Sequence, residues 1–519
     1  MPRFILRLGR IPLAPFAASL LICVPLWISN LTAVPVEMMV PVVIGLLAVA
    51  ASLLVAIWLM VRDWARASVI AAIWTDFLLY LPSVIRSVTE NQWVMVAAIV
   101  AGCLLAWDVS RRVTKDSTTV RQVNGAVNLF FGTAAIAMAC IFSLQQWGIE
   151  RGRPDPRGTF APFAGKADAH SPDVWHIIMD RYAGEETLSR TYGFQNTAFL
   201  GALRARGFSV AKGSYSNYQI TPLSLASTLN ASYLESFTAK FGISDDRVPM
   251  FRAIDRNAAF DFFKRQGYRI NFAGGWANVT FDNSLADRKI TFRPLSEISR
   301  TVLDQSVPGV LAQMLGIPFA DGRKDQCLRE KYKFEQLREL AREHGRKYVF
   351  AHFLLPHPPY TFAADGKCQS IAEARKIGRV GSYVGQVEYS NGELVQLVDA
   401  ILKGPRPATI IIQADEGPYP AKYAVDELEF APSYKPGETL LNDTPDIRRE
   451  KTNIILAIRH ADGKQDVTPL SPVNIYPAIT NHSFGTNIPF KPDRTFMFGG
   501  DLDYSAMRDI SHETFGSAR

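Results

Sequence analysis

The chain has 519 residues and a formal net charge of +7, and nearly all of its charged side chains lie after residue 150. That length allows two or three ordinary domains, while the apolar first 150 residues exclude a wholly soluble protein. Several of the arginines and lysines sit in short loops between apolar blocks, and the rest form no arginine-rich stripe with interleaved aromatics, which counts against nucleic-acid binding.

Five apolar blocks open the chain, roughly Ile11 to Ala33, Val36 to Val61, Ser68 to Ile85, Trp93 to Trp107 and Ala126 to Trp147. A helix needs about 20 mainly apolar residues to cross the hydrocarbon core, and the first, second and fifth blocks meet that length. The third carries Asp76 and Pro82, and the fourth is short. With the N-terminus inside, the inner segments hold Arg3, Arg7 and Arg10, then Arg62 and Arg66, then Arg111, Arg112, Lys115 and Arg121, whereas the outer loops hold only Arg86. The positive-inside rule requires this asymmetry. Trp93, Trp107 and Trp147 fall at block ends, where aromatic rings favour the interface. The reading is a five-helix membrane anchor over 1–149 with no cleavable signal, a Gly-, Pro- and Arg-rich linker over 150–171, and a domain over 172–519. That domain is expected on the outer face of an inner (cytoplasmic) membrane.

Cys23, Cys103 and Cys140 lie in the apolar blocks and read as small apolar residues. Cys327 and Cys368 are the two cysteines of the soluble part. Outside the cytoplasm such a pair tends to oxidise, so a Cys327–Cys368 disulfide is expected, with two unrelated thiols as the alternative. No further cysteines stand at metal-ligand spacing.

After the linker, short apolar runs alternate with amphipathic stretches, which reads as an α/β domain with a mainly parallel, doubly wound sheet. The runs are Val174–Met179, Tyr348–Leu355, Thr409–Ala414 and Asn453–Ile458, and helical spacing covers Glu335–Glu343 and Tyr383–Leu402. Continuous apolar runs suit strands buried on both faces. In open α/β sheets ligands gather beyond the carboxyl ends of the strands, and two of these runs end in carboxylates: Asp180 ends the first, and Asp415-Glu416 ends the third. Oxygen ligands placed there suit a divalent cation, Mn²⁺ or Mg²⁺; taken singly, each acid is equally a helix cap or loop anchor.

Thr221 is read as a helix N-cap with Pro222 at the first helical position. A helix N-terminus attracts anions, and a hydroxyl there beside a metal can attack a phosphoryl or sulfuryl centre; the alternative is a capped helix without chemistry. Between prolines in Pro356-His357-Pro358, His357 is placed to donate a hydrogen bond to a substrate oxygen or to protonate a leaving group, with a plain loop histidine as the alternative. His352, within the strand, reads as a core or supporting residue.

These segments together resemble the membrane-anchored members of the sulfatase/alkaline-phosphatase superfamily. Asp173–Ala183 is similar to their opening strand, Ser216–Asn230 to their nucleophile stretch, Ala351–Tyr360 to their histidine loop and Ile410–Pro418 to their second metal strand. Ser471–Asn474 with Asn481–Arg494 resembles their closing segment. The likeness spans about Asp173 to Phe498. Lipoteichoic acid synthase-type phosphoglycerol transferases and phosphoethanolamine transferases are the relatives it points to. The resemblance implies one divalent metal, Asp180 and Asp415 as ligands, Thr221 as a nucleophile that forms a covalent intermediate, and His357 as a contact to substrate. The formylglycine signature of arylsulfatases is missing at the Thr221 helix.

One departure stands out. Many of these relatives read Asp-His-Gly where this chain reads Asp415-Glu416-Gly417. If Glu416 is a third ligand, it favours Mn²⁺ or Mg²⁺ over Zn²⁺, and three carboxylates then weaken activation of Thr221 and repel an anionic substrate. Two functions follow from the sequence. The first is a metal-dependent hydrolase or transferase acting on phosphate, less readily sulfate, esters of envelope lipids or glycans. The second is a non-catalytic relative that binds an envelope polymer or a partner. The anchor favours the first, because tethering raises the concentration of the domain at the bilayer. A transporter fits poorly, since the blocks show no inverted repeat. Head group, acceptor and oligomeric state are not written in these motifs.

Overall fold

The computed structural model describes residues 3–89, 91–153, 155–156, 158–239, 246–275, 278–293, 295–317, 321–424, 426, 428, 438–464, 469–499 and 507–516. Its contacts divide the chain into two compact units: Met1–Arg153 together with Leu295–Asp321, and Pro154–Pro294 together with Gly322–Arg519.

In the first unit, four described helices are long and apolar enough to cross a membrane: Val36–Val61, Trp64–Arg86, Gln92–Arg112 and Ser117–Gly152. The third and fourth sequence blocks therefore make longer helices than their apolar cores suggest. Asp63 caps one through the Arg66 N–H, and Asn91 caps the other through the N–H groups of Trp93 and Val94. The first block behaves differently from its expected length, because its helix covers only the 15 residues Ala14–Ile28, about 22 Å at 1.5 Å per residue. The chain leaves the helix at Ser29, and the Asn30 side chain folds back onto the Leu26 carbonyl, 2.7 Å away. Buried Asn124 and Asn128 latch the start of the chain to the Ser117 helix, donating to the carbonyls of Leu8, Gly9 and Ile11. Cys103 and Cys140 are free thiols in these helices; the Cys23 side chain lies outside the described residues.

The second unit is built on a seven-stranded sheet with the spatial order Ser209–Val210, Leu456–Arg459, Ala408–Ala414, Asp173–Met179, Lys347–Phe353, Arg269–Ala273, Arg288–Lys289. The five strands from Ala408–Ala414 to the Arg288 edge run parallel, Leu456–Arg459 runs antiparallel to them, and Ser209–Val210 pairs antiparallel with Leu456–Arg459. The three central strands are buried along their whole length. Alternation sends Trp175, Ile177 and Met179 into one core, with Val349, Ala351, Ile410 and Ile412. Val174 and Ile178 enter the other, with Tyr348, Phe350 and Ile411. A sheet with a core on each face must be covered on both sides, which gives the doubly wound arrangement.

The expected helical stretches lie within longer helices, Gly322–Ala341 and Ile371–Leu402. The second starts at a capping box in which Ser370 and Glu373 satisfy each other's backbone N–H groups. Cys327 and Cys368 are joined in a disulfide that spans 41 residues and ties the Gly322 helix to the loop that follows the Lys347 strand. Closing a loop of that size is worth about 3–4 kcal/mol. The Cys327→Ser/Cys368→Ser pair is therefore expected to lower the thermal midpoint of this unit; an unchanged melting curve would show that the bridge adds nothing.

Candidate functional site

The centre forms where parallel strands end. Met179 stands opposite Ala414 in the register, so the next residues, Asp180 and Asp415, lie abreast. On the other side Ile178 stands opposite His352. Side chains two apart share a face of a strand, so Asp180 and His352 point the same way. Ligand atoms of Asp180, His352 and Asp415 lie within 4.8 Å of one another, and His352 Nε2 is 3.7 Å from Asp180 Oδ2. All three side chains are buried.

Their unpartnered atoms converge. Asp180 Oδ1, Asp415 Oδ2 and His352 Nε2 are buried without a hydrogen-bond partner, which is costly unless another species satisfies them. Burial, and then the neighbouring Asp415, holds Asp180 well above the usual carboxylate range. Burial, and then Glu416, raises Asp415 to about 6. Two crowded carboxylates that resist ionisation call for a positive charge between them. Burial, and then Lys333, pushes His352 down to about 3, so its ring is neutral and can ligate. The His352 Nδ1 faces Thr280 Oγ1 at 2.7 Å, which leaves Nε2 for the centre when Nδ1 carries the proton. Such a partner orients a ligating imidazole, and the donor set of two carboxylates and one imidazole fits one divalent ion. Thr280→Val is accordingly expected to weaken divalent-ion affinity about 10–100-fold, measured by competition with a chelating dye; unchanged affinity would leave His352 outside the ligand set.

Glu416, expected from sequence among the ligands, is engaged elsewhere. Its Oε1 accepts from Arg181 Nε at 2.8 Å and its Oε2 lies 3.1 Å from Lys451 Nζ. Glu416 and Lys451 are both buried. Burial pulls Lys451 down to about 8, against the attraction of Glu416. The three carboxylates Asp180, Asp415 and Glu416 thus face two cations, Arg181 and Lys451, and the charge excess foreseen from the sequence shrinks from three to one before any ion binds. Local backbone makes this possible. Arg181 adopts φ 61°, a costly region for a side chain of that size. The turn sends its N–H to Asp415 Oδ1 at 3.1 Å and its guanidinium to Glu416. Gly417 passes so close to Lys451 that an added Cβ would stand 2.6 Å from the Lys451 carbonyl oxygen, and Lys451 Nζ in turn donates to the Gly417 carbonyl at 2.8 Å.

Thr221 is the first residue of the Thr221–Leu229 helix, and Ile220 is its N-cap, without a side-chain capping bond. The expected capping role therefore falls away, and the hydroxyl is turned to other use. It lies beside the Asp415 carboxylate, where its hydrogen bond draws that group's pKa down against the burial that raises it. Ser224, one turn on, anchors the helix by donating to the Asp415 carbonyl at 2.5 Å. His357 is part-buried, and its Nδ1 contacts the Pro358 carbonyl. A carbonyl only accepts, so Nδ1 holds the proton and Nε2 is left as an acceptor. Burial, and then Arg181, keeps this ring far below its ordinary pKa and hence neutral. A neutral ring of that tautomer presents Nε2 as a hydrogen-bond acceptor towards the site. His352, Arg181, Lys451 and Thr280 are the members of this cluster that the sequence reading did not assign to the site.

With fold and centre in view, the family is decided. The sulfatase pattern matches residues 172–478, more than half of the chain, and the chain belongs to the sulfatase family. No curated protein matches it. Among solved structures, it is similar to the C-terminal periplasmic domain of EcEptC from Escherichia coli, in complex with Zn, at 12% identity, covering 70% of this chain and 100% of that one with a TM-score of 0.43. It is also similar to the C-terminal periplasmic domain of the phosphoethanolamine transferase EptC from Campylobacter jejuni, at 11% identity, covering 60% and 89% with a TM-score of 0.33.

Proposed function

We propose that the chain is a metal-dependent transferase or hydrolase of phosphate esters, with Thr221 as nucleophile and an envelope lipid or glycan as substrate. The observation that carries the reading is the meeting of an uncapped helix-terminal hydroxyl with three buried, unpartnered ligand atoms. An ion held by Asp180, His352 and Asp415 would supply charge neutralisation and a lower hydroxyl pKa. Thr221 Oγ forms the new bond to phosphorus as the ester P–O bond breaks. The hydroxyl proton leaves by way of Asp415 to solvent, and the departing oxygen takes a proton from water. The free N–H groups at the start of the Thr221 helix face the negative charge of the transferred group. In the second step the acceptor hydroxyl, of water or of a glycan, attacks the same phosphorus as the Thr221 Oγ–P bond breaks; its proton passes to solvent, Thr221 Oγ regains a proton by way of Asp415, and His357 Nε2 accepts a hydrogen bond from the incoming hydroxyl.

The ion preference changes with the role of Glu416. The case for Mn²⁺ or Mg²⁺ over Zn²⁺ rested on three carboxylate ligands. With Glu416 ion-paired to Arg181 and Lys451, the remaining set of one imidazole and two carboxylates suits Zn²⁺ and Mn²⁺ alike. The case for a binding-only relative rested on the same residue and weakens for the same reason. We place the centre on the periplasmic side, with the helices of the first unit crossing the inner membrane, because the basic residues segregate to one set of loops.

The test is turnover of a phospholipid or p-nitrophenyl phosphate by the full chain before and after chelation. Loss of turnover on chelation, with recovery on adding Zn²⁺ or Mn²⁺, supports the reading. Turnover that survives removal of all divalent ions overturns it.

A further inference from the structure

Residues 295–321 lie in the sequence between the Arg288 edge strand and the disulfide-bearing Gly322 helix, both part of the sulfatase fold, yet they pack with the apolar helices of the first unit. The segment forms two short helices, Glu297–Asp304 and Val307–Met314, each capped by a serine: Ser296 accepts from the Ser299 N–H, and Ser306 from the Gly309 N–H. Ile298 and Val302 of the first enter a cluster with Val34, Met39, Val42, Leu46 and Leu79. Val307 and Val310 of the second pack with Met95, Ile99, Phe77, Leu81 and Ile85. Those partners all come from the ends of the apolar helices that share the Arg86 side. Arg86 itself donates to the Asp304 carbonyl at 2.8 Å, so the arginine that broke the charge asymmetry of the loops serves as a clamp on this segment. Gly309 lets the two short helices close on each other, since a Cβ there would meet the Leu303 carbonyl oxygen at 1.9 Å.

The second helix is apolar beyond what this packing uses. Leu311, Met314 and Leu315 are 43%, 47% and 77% exposed. Their i, i+3, i+4 spacing puts them on one helical stripe that borders the stripe of Val307 and Val310. The nearby helix ends are equally apolar and open, with Val84 at 58%, Val88 at 82% and Trp93 at 71% exposed. The exposed stripe therefore continues the lipid-facing surface of helices long enough to span a membrane. A short amphipathic helix with one such face lies in the headgroup and acyl boundary.

We infer that Leu311, Met314 and Leu315 insert into the leaflet on the Arg86 side of the bilayer crossed by these helices, making residues 295–317 an interfacial anchor contributed from within the sulfatase-fold sequence. The occupant of the stripe is lipid. The chain then passes between the two units at three places, near residues 153, 294 and 321, rather than at the single linker, and the catalytic fold is held to the membrane unit through an internal segment as well as its N-terminus. The inference does not depend on whether the metal centre turns over substrate.

The test uses the full chain with Cys23, Cys103 and Cys140 replaced by serine and the disulfide kept, reconstituted in nanodiscs of phosphatidylglycerol and phosphatidylcholine. An environment-sensitive fluorophore is placed at Leu311→Cys and, separately, Leu315→Cys, both exposed positions that leave the buried stripe untouched. Val94→Cys, exposed on a membrane-spanning helix, is the reference. Blue-shifted emission, and quenching by doxyl-labelled phospholipid within about twofold of the Val94 label, is the expected result for an interfacial helix. Water-like emission without lipid quenching at both positions overturns the inference. So does blue-shifted emission without quenching, which would mean that protein, such as a second copy, covers the stripe.

Discussion

Thr221→Ala is expected to lower turnover of a phosphate ester on the order of 10³-fold or more, because a covalent route without its nucleophile has no substitute group in the centre. The same variant is expected to keep its divalent ion and to unfold within about 0.5 kcal/mol of the native chain. The two expectations share one cause: the Thr221 hydroxyl caps nothing and lies beside Asp415, so removing it takes away a reacting atom and little else. Thr221→Ser keeps that atom and should keep measurable turnover. Steady-state rates, ion content by mass spectrometry and a melting curve on the three proteins check this together. Equal turnover by Thr221→Ala and native protein would remove Thr221 from the chemistry.

The second large effect concerns the buried charges around Glu416. Lys451→Met leaves Glu416 buried with Arg181 alone, and Glu416→Gln leaves Lys451 buried beside Arg181 without its carboxylate. Breaking one side of such a pair costs about 3–5 kcal/mol, whereas replacing both sides together costs far less. The double variant should therefore be more stable than the sum of the two single ones indicates, and a double-mutant cycle reads the coupling directly. Glu416→His sets an imidazole between two cations. It is expected to destabilise the fold on its own and to be better tolerated in combination with Lys451→Met. If Glu416→His alone melts with the native protein, the ion pairs described here do not govern the site.

These two predictions also show what the sequence could and could not disclose. The strand ends at Asp180 and Asp415 were legible because each follows a continuous apolar run, and the parallel register then sets them side by side. Thr221 was legible as a helix start, one position away from its true place, since proline marks the first turn without fixing the cap. The role of His352 was hidden because a histidine inside an apolar strand resembles a core residue. Only pairing with the Asp180 strand shows that the two share a face. Lys451 was out of reach for a different reason. It follows Glu416 by 35 positions and lies in the last turn of the Pro445–Thr452 helix, and the close approach of Gly417 to that helix is a tertiary fact. The Arg269–Ala273 strand was missed because Arg269 and Asn271 break its apolar run, and Asn453–Ile458 divides into two short strands at Ile455. In the 295–317 segment the i, i+3, i+4 pattern was present, but an amphipathic helix reads the same whether its apolar face meets protein or lipid.

The proposed function makes one chemical demand above the others: the transferred group passes through Thr221. The direct measurement is acid quench of the full-length, ion-loaded protein during turnover of a phosphate ester, followed by peptide mass spectrometry. The account predicts a phosphoryl or phospho-head-group adduct on Thr221 that appears with substrate, vanishes when substrate is exhausted, and is lost in Thr221→Ala. Turnover with no adduct, or with an adduct on another residue, would contradict it.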